Sequence, residues 1–291
     1  MNRTLRLGTR GSLLAKTQSQ WVANQLVGLH IDLQIIETAG DDLNISLTKP
    51  AVPGAFVNAL RQELLNGNVD FIVHSFKDLP STPHPEISIA AVPAREDHRD
   101  VLISKNNVRL TELPNGALIG TSSPRRIASI QQLNSTLRTE PIRGNVDSRI
   151  KKVRDGHYDA AILAAAGINR IGRQADIAQY FDVSEIIPAP AQGALAVECR
   201  RTDGELIKIL SQLDHAQTRL TSTAERAVLQ SLNAGCDLPI GAFASLKGSQ
   251  LTLTAQFGFQ GYVTKSIQIE NLNDLQSAEL LGESIAAELR T

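Results

Sequence analysis

Short apolar runs of strand length alternate with stretches whose apolar residues fall on one helical face through the first two-thirds of the chain. Strictly alternating positions then take over. The first cycle predicts a strand over residues 5–7, a polar turn through Gly8, Thr9, Arg10, Gly11 and Ser12, and a helix over about residues 13–27. Ser12 suits the N-cap, and Leu14, Trp21, Val22 and Leu26 form the predicted apolar stripe. A strand over 33–36 leads into TAGDDLNISLTKPAVPG, whose prolines and glycines argue against regular structure, and a helix over 55–65 ends at Asn66-Gly67. Next comes VDFIVHSFKDLP. Its apolar run, Phe71 to Val73, gives way to His74, Ser75, Lys77 and Asp78, and Pro80 forbids a simple continuation.

From Ala117 the plan repeats. ALIGTSSPRRIASIQQL follows LRLGTRGSLLAKTQSQW, with Gly120 at the place of Gly8 and Thr121 at that of Thr9. A strand near Leu137, a helix over about 146–154 and a strand over 158–163 complete the cycle, Asp159 taking the role of Asp70. This pattern-level duplication predicts two similar α/β lobes facing each other across a cleft. Both Gly-Thr turns would lie beyond the carboxyl ends of strands, where ligands of α/β sheets bind. Past Gly167, IIPAPAQGALAVECR reads as a crossing segment followed by a strand over 194–199 that returns to the first lobe. A helix over about 218–232 ends with C-cap chemistry at Asn233, Ala234 and Gly235. Alternation in 251–257 and 263–269 predicts antiparallel strands, and a last helix over 274–290 carries Glu279, Glu283 and Glu288 on a solvated face. The C-terminus thus forms a small α+β domain.

Composition narrows the picture. At 291 residues there is room for two or three domains, and 42% hydrophobic with 20% charged residues is ordinary for a soluble globular chain. A net charge of -1 gives no general attraction to nucleic acid or anionic membrane, so functional positive charge must be local. No apolar run approaches a membrane span, and MNRTLRLGTR has no apolar core of a secretory signal, which leaves the cytoplasm as the simplest compartment. Cys199 and Cys236 make neither a disulfide framework nor a zinc motif, and the six histidines show no ligand spacing, so no metal is expected.

Between Ile119 and Arg154 basic residues exceed acidic ones by six. Lys151, Lys152 and Arg154 read as a solvated face. Arg125, Arg126 and Arg143 instead stand at strand-to-helix turns beside Gly120, Ser122, Ser123 and Gly144, where helix amides also favour anions. Arginine grips carboxylates and phosphates in fork geometry, so the cleft suits a ligand with several acidic groups. No GxxxxGK[ST] loop supports a nucleoside triphosphate, no GxSxG elbow supports a hydrolase, and 4% aromatics argue against nucleic acid. Lys77 and Asp78 fit either an ion pair closing a loop or a functional pair. Cys199 reads as a buried structural thiol. Cys236 reads as a plain loop thiol or as a chemical one; a helix C-terminus and Asp237 disfavour its thiolate, so a permanent covalent tether fits better than a thiol that turns over.

GTRGS, VHSFKDLP, REDHRD, GTSSPRR, RGN, PAPAQGALAVECR, AERA and GCDLPIG, in this order and at these separations, resemble the hydroxymethylbilane synthase family, also called porphobilinogen deaminases. The resemblance runs from about Leu5 to Ala244. It implies two lobes like those of periplasmic binding proteins and a small open-faced sheet domain, divided here as 1–93 with 194–212, 98–188, and 216–291. It also implies condensation of four porphobilinogen molecules head to tail, with loss of four ammonia and a final hydrolysis. The implied cofactor is dipyrromethane, held by a thioether to Cys236. Asp78 matches the family's catalytic aspartate, which would stabilise the cation formed as ammonia leaves. Lys77, Thr121, Ser122, Ser123, Arg125, Arg126, Arg143 and Asn145 match cofactor-binding positions. Arg10, Ser12, Gln18, Arg149, Arg170, Gln192 and Gly193 match positions that bind substrate and the growing polypyrrole chain. A cytoplasmic monomer is implied, with no nucleic-acid or membrane partner.

Two departures from the family pattern stand out. Ala51, Val52, Pro53 and Gly54 replace a loop often written GGKG, leaving Lys49 as the nearest base, and Phe76 stands where many relatives have methionine. A second functional reading, a non-catalytic bilobed receptor for a small polyanion, uses the lobes and arginines without Asp78 or Cys236.

Overall fold

Strand β1 (Leu5–Thr9) lies between β2 (Ile31–Ile35) and β3 (Phe71–Ser75), parallel to both, in a computed structural model that describes residues 3–37, 55–233, 238–258 and 261–290. Helix α1 (Leu13–Gln25) crosses from β1 to β2, and α2 (Ala55–Leu65) precedes β3. Two further strands, β10 (Leu195–Arg200) and β4 (Ile87–Ala91), complete the sheet in the order β2-β1-β3-β10-β4, with β10 antiparallel to both its neighbours. The segment after the second lobe therefore does return to the first, and α6 (Gly204–Leu210) follows it. These elements belong to one compact unit, residues 1–95 with 194–219.

The second unit, residues 96–193 with 220–291, holds the other two sheets. The larger is built from β5 (Asp100–Ser104), β6 (Leu118–Gly120), β7 (Arg138–Glu140), β8 (Ala160–Ala164) and β9 (Gln179–Tyr180), with α3 (Pro124–Leu133) after β6, α4 (Val146–Arg154) after β7 and α5 (Ala165–Arg170) after β8. Its order is β7-β6-β8-β5-β9. Strand for strand this matches the first sheet, with β5 in the place of β10 and likewise antiparallel. After α7 (Ala216–Ser231), strands β11 (Ile240–Lys247), β12 (Gln250–Phe257) and β13 (Tyr262–Gln268) form an antiparallel sheet in that order. One face packs on α7 and on α8 (Leu275–Leu289) through Leu220, Val228, Leu253, Leu281 and Ile285; the opposite face stays hydroxyl-rich, with Thr254 and Thr264 hydrogen-bonded across the strands at 2.9 Å.

The duplication has a physical basis residue by residue. Asp70 accepts a hydrogen bond from the backbone N–H of Arg6 at 2.8 Å, and Asp159 accepts one from Leu118 at 2.7 Å, each tying the start of a third strand two residues before the Gly-Thr pair. Gly8 and Gly120 stand where a Cβ would meet an isoleucine side chain at 2.9 Å, Ile36 in one lobe and Ile142 in the other. Only glycine lets the strand end approach its neighbour this closely. Each following helix is serine-capped, by Ser12 to Ala15 N–H and by Ser123 to Arg126 N–H.

Two features depart from the hydrophobic pattern. Helix α1 buries Gln18, Ser19, Val22 and Ala23, with Leu26 buried at its C-cap, while Trp21 is 39% exposed and lies off the stripe. The inward face is partly polar because Gln18 Nε2 donates to Ser75 Oγ at 2.9 Å and Ser19 Oγ to Thr9 Oγ1 at 2.9 Å, so apolar spacing misplaced its centre. Strands β4, β5, β9 and β11 were not marked by the pattern; β5 opens on a charged residue, β9 is two residues long, and β11 is rich in glycine and alanine.

Candidate active site

The backbone of β3 ends at Ser75, and a single turn of 3-10 helix, Phe76–Asp78, carries the chain away. Phe76 and Leu79 are buried and pin this turn from inside, and Phe76 N–H donates to the Ala194 carbonyl at 3.0 Å. Lys77 is half-buried and Asp78 exposed. Asp78 makes no ion pair or hydrogen bond with the described residues, so no Lys77–Asp78 pair closes the loop. An exposed carboxylate on a rigid turn beyond the carboxyl end of a strand is well placed to meet a ligand. Gln18 braces Ser75 just before it, and at the neighbouring strand end Ser12 caps α1 while the Arg10 guanidinium stacks 3.5 Å above the Phe56 ring.

Beneath this turn lies a buried charged cluster that sequence reasoning missed. Arg61 donates to Glu198 through Nε at 3.0 Å and Nη2 at 2.5 Å, and His74 Nε2 lies 3.5 Å from the same carboxylate. Burial pushes His74 down to about 4; Glu198 opposes the shift, and Arg61 and Arg10 add to it.

In the second unit the predicted residues fall at three consecutive strand-to-helix turns. After β6, Thr121 is buried and its Oγ1 accepts from Ser123 N–H at 3.2 Å, while Ser122 Oγ donates to the Ile142 carbonyl at 3.0 Å. After β7, Asn145 caps α4 by accepting from Ser148 N–H at 2.9 Å, Arg149 Nε donates to the Gly144 carbonyl at 2.8 Å, and the Arg143 side chain is exposed. After β8, Arg170 closes α5 and donates to the Gly193 carbonyl at 2.8 Å. Burial brings Arg170 down to about 10, with Glu96 opposing. Gly193 itself has φ +91°, and a Cβ there would come within 2.4 Å of the Glu96 carbonyl oxygen.

Arg125 and Arg126 occupy the first turn of α3, each only 7% exposed. Both turn onto Asp100, the first residue of β5: Arg125 Nη1 reaches Oδ2 at 2.6 Å and Arg126 Nη2 reaches Oδ1 at 2.7 Å. Arg125 Nη1 also donates to the Ile187 carbonyl and Arg126 Nη1 to that of Ile162, each at 2.8 Å. Gln192, predicted among substrate-binding residues, is 1% exposed and donates to Asp100 Oδ1 at 3.0 Å and to the His98 carbonyl at 2.9 Å. Burial alone would raise the Asp100 carboxyl, but the two guanidinium groups outweigh it and hold it well below the usual range. Asp100 was legible only as the last residue of REDHRD, a lone carboxylate opening an apolar strand. Cys236 and the segment Lys49–Gly54 lie outside the described residues. Among the described residues no group of histidine, cysteine, aspartate or glutamate is arranged to hold a metal, and no helix is long and apolar enough to cross a membrane.

These features define an α/β protein with duplicated lobes: in the second unit the strand ends present hydroxyl and guanidinium groups, the chemistry that receives carboxylates, and in the first a turn beyond a strand end carries the exposed Asp78. The family model described as porphobilinogen deaminase, dipyromethane cofactor binding domain, matches residues 5–208, and that of the porphobilinogen deaminase C-terminal domain matches 219–291. The chain belongs to the porphobilinogen deaminase family. It is similar to the porphobilinogen deaminase of Nocardia farcinica, at 44% identity over 98% of this chain and 85% of that one. It is also similar to porphobilinogen deaminase 1 of Streptomyces coelicolor, at 48% identity over 84% of this chain and 79% of that one. Among solved structures, the methionine binding protein MetQ aligns at 12% identity over 77% of this chain and 93% of that one, with a TM-score of 0.46.

Proposed function

We propose that this chain condenses four porphobilinogen molecules head to tail, releasing four ammonia, and delivers hydroxymethylbilane after hydrolysis, as a step of tetrapyrrole biosynthesis. Family membership favours this over a non-catalytic polyanion receptor. The observation that carries the mechanism is the exposed Asp78 carboxylate on its pinned turn. A carboxylate there accepts the pyrrole N–H of an incoming ring, stabilises positive charge that develops on the ring and holds a proton within reach of the reacting carbon. Lys77 and the arginines bind acetate and propionate groups. Each ring brings two carboxylates, so an elongating product needs several cationic and hydroxyl donors spread along the strand ends.

The family's cofactor domain implies dipyrromethane, and the donor set fits it: Arg125 and Arg126 bring two positive charges against the one carboxylate of Asp100. Lys77, Thr121, Ser122, Ser123, Arg125, Arg126, Arg143 and Asn145 would hold its carboxylates and Cys236 its end carbon. Bound there, the group supplies the nucleophilic pyrrole from which the product grows. Arg10, Ser12, Gln18, Arg149, Arg170, Gln192 and Gly193 serve the substrate and the growing product. The chain works as a cytoplasmic monomer in three parts, 1–93 with 194–212, 98–188, and 216–291.

The test is an intact-mass measurement on the purified chain combined with a porphobilinogen-consumption assay. Two pyrrole units on the wild-type chain, absent from Cys236→Ala, together with consumption are expected. An unmodified wild-type mass with no consumption would exclude this function.

A further inference from the structure

The arginine pair of the second unit stands on a carboxylate that the scaffold does not need. In the first sheet the antiparallel fourth strand places Leu195 opposite Ser75, the last residue of β3; in the second sheet the corresponding strand places Asp100 opposite Ala164, the last residue of β8. One lobe therefore builds this strand end with an apolar residue. The other builds it with a fully buried carboxylate carrying two buried arginines. Replacing a buried ion triad by well-packed apolar side chains is often neutral or stabilising, so the triad is weak evidence for a role in stability.

The donor geometry says what the triad does. Asp100 takes one guanidinium nitrogen of Arg125, and two of Arg126 through Nη2 at 2.7 Å and Nε at 3.2 Å. Gln192 Nε2 also donates to Asp100 Oδ1 at 3.0 Å, so the carboxylate is held by three side chains. Nε and Nη2 of Arg125 make no hydrogen bond with the described residues, and the cluster keeps a net positive charge.

We propose that Asp100 is a positioning residue for the Arg125–Arg126 pair: it fixes both guanidinium groups at the end of β8 and leaves the Arg125 fork directed to an acidic side group of the pyrrole ligand. This rests on the functional reading above. Asp100 touches no ligand and acts through the arginines.

The experiment compares Asp100→Asn, which removes the charge in the same shape, with Asp100→Glu, which keeps the charge but moves it by one methylene. For each soluble variant three quantities are measured: the fraction carrying the two-pyrrole mass on Cys236, KM and kcat for porphobilinogen, and the melting temperature. Both variants are expected to carry the adduct in about tenfold smaller fraction of the folded protein, the scale of one lost charge-assisted hydrogen bond. In an Arg125→Lys, Arg126→Lys background Asp100→Asn should add less than about a twofold further loss, because the residues act as one unit. That non-additivity separates positioning from support of the fold. If Asp100→Asn fails to fold, Asp100→Glu decides. Wild-type adduct loading in a folded Asp100 variant, or full additivity with the arginine changes, overturns the proposal while leaving the function intact; a wild-type chain without adduct or consumption overturns both.

Discussion

The two large sheets share their order and their Gly-Thr turns, yet the antiparallel fourth strand carries its buried carboxylate at a different depth in each. In the first, Glu198 sits opposite Ile72, near the start of β3, and collects Arg61 and His74 from α2 and β3. In the second, Asp100 sits opposite Ala164, at the end of β8, and collects the two arginines of a helix N-terminus. Three residues of register separate a cluster enclosed in the sheet from one at the ligand end. The scaffold is thus a neutral frame. Which strand position carries the buried carboxylate decides whether its arginines stay within the sheet or stand at the strand ends.

This contrast can be broken. Glu198→Gln leaves Arg61 buried with weakened compensation, and a loss of about 3 kcal/mol is expected in denaturant unfolding. The adduct fraction of the folded protein should stay at the wild-type level. A Glu198→Gln protein that keeps its stability but loses the adduct would place Glu198 with Asp100 and erase the distinction.

A smaller effect sharpens it through pH. His74 is buried uncharged, so its folded value of about 4 lies below the unfolded one. Between those values the unfolded chain binds more protons, and stability rises with pH. The contribution is complete above about pH 6.5 and is lost as pH falls towards 4, in total about 3 kcal/mol or less. Asp100 stays ionised throughout that window. Acidification from pH 6.5 to 4.5 should therefore increase hydrogen exchange in β3 and β10 before it does so in β5 and β8, and His74→Gln should flatten the dependence. Equal or reversed order would contradict the assignment.

The duplicated frame was legible in the sequence because both lobes meet the same constraints with the same residue types in the same order. A Cβ at Gly8 or Gly120 would meet an isoleucine of its own lobe at 2.9 Å, and Asp70 and Asp159 each accept a backbone N–H from the adjacent strand, so the same residue types recur in both copies. Asp78 was legible as the charged residue at which an apolar run stops. Asp100, Arg61 and Glu198 were not, because the two lobes place these buried charges at different strand positions, so no repeat in the sequence marks them. Trp21 failed for the opposite reason: it obeys helical spacing, but the inward face of α1 is set by the hydrogen bonds of Gln18 and Ser19.

The most direct test of the central claim, that Asp78 does the chemistry while the cationic strand ends hold carboxylates, is the kcat of Asp78→Asn with porphobilinogen, measured on protein whose circular dichroism matches wild type. The account predicts a fall of about 10²- to 10⁴-fold, the scale of a lost acid-base and charge-stabilising group. A variant that turns over at the wild-type rate would contradict it.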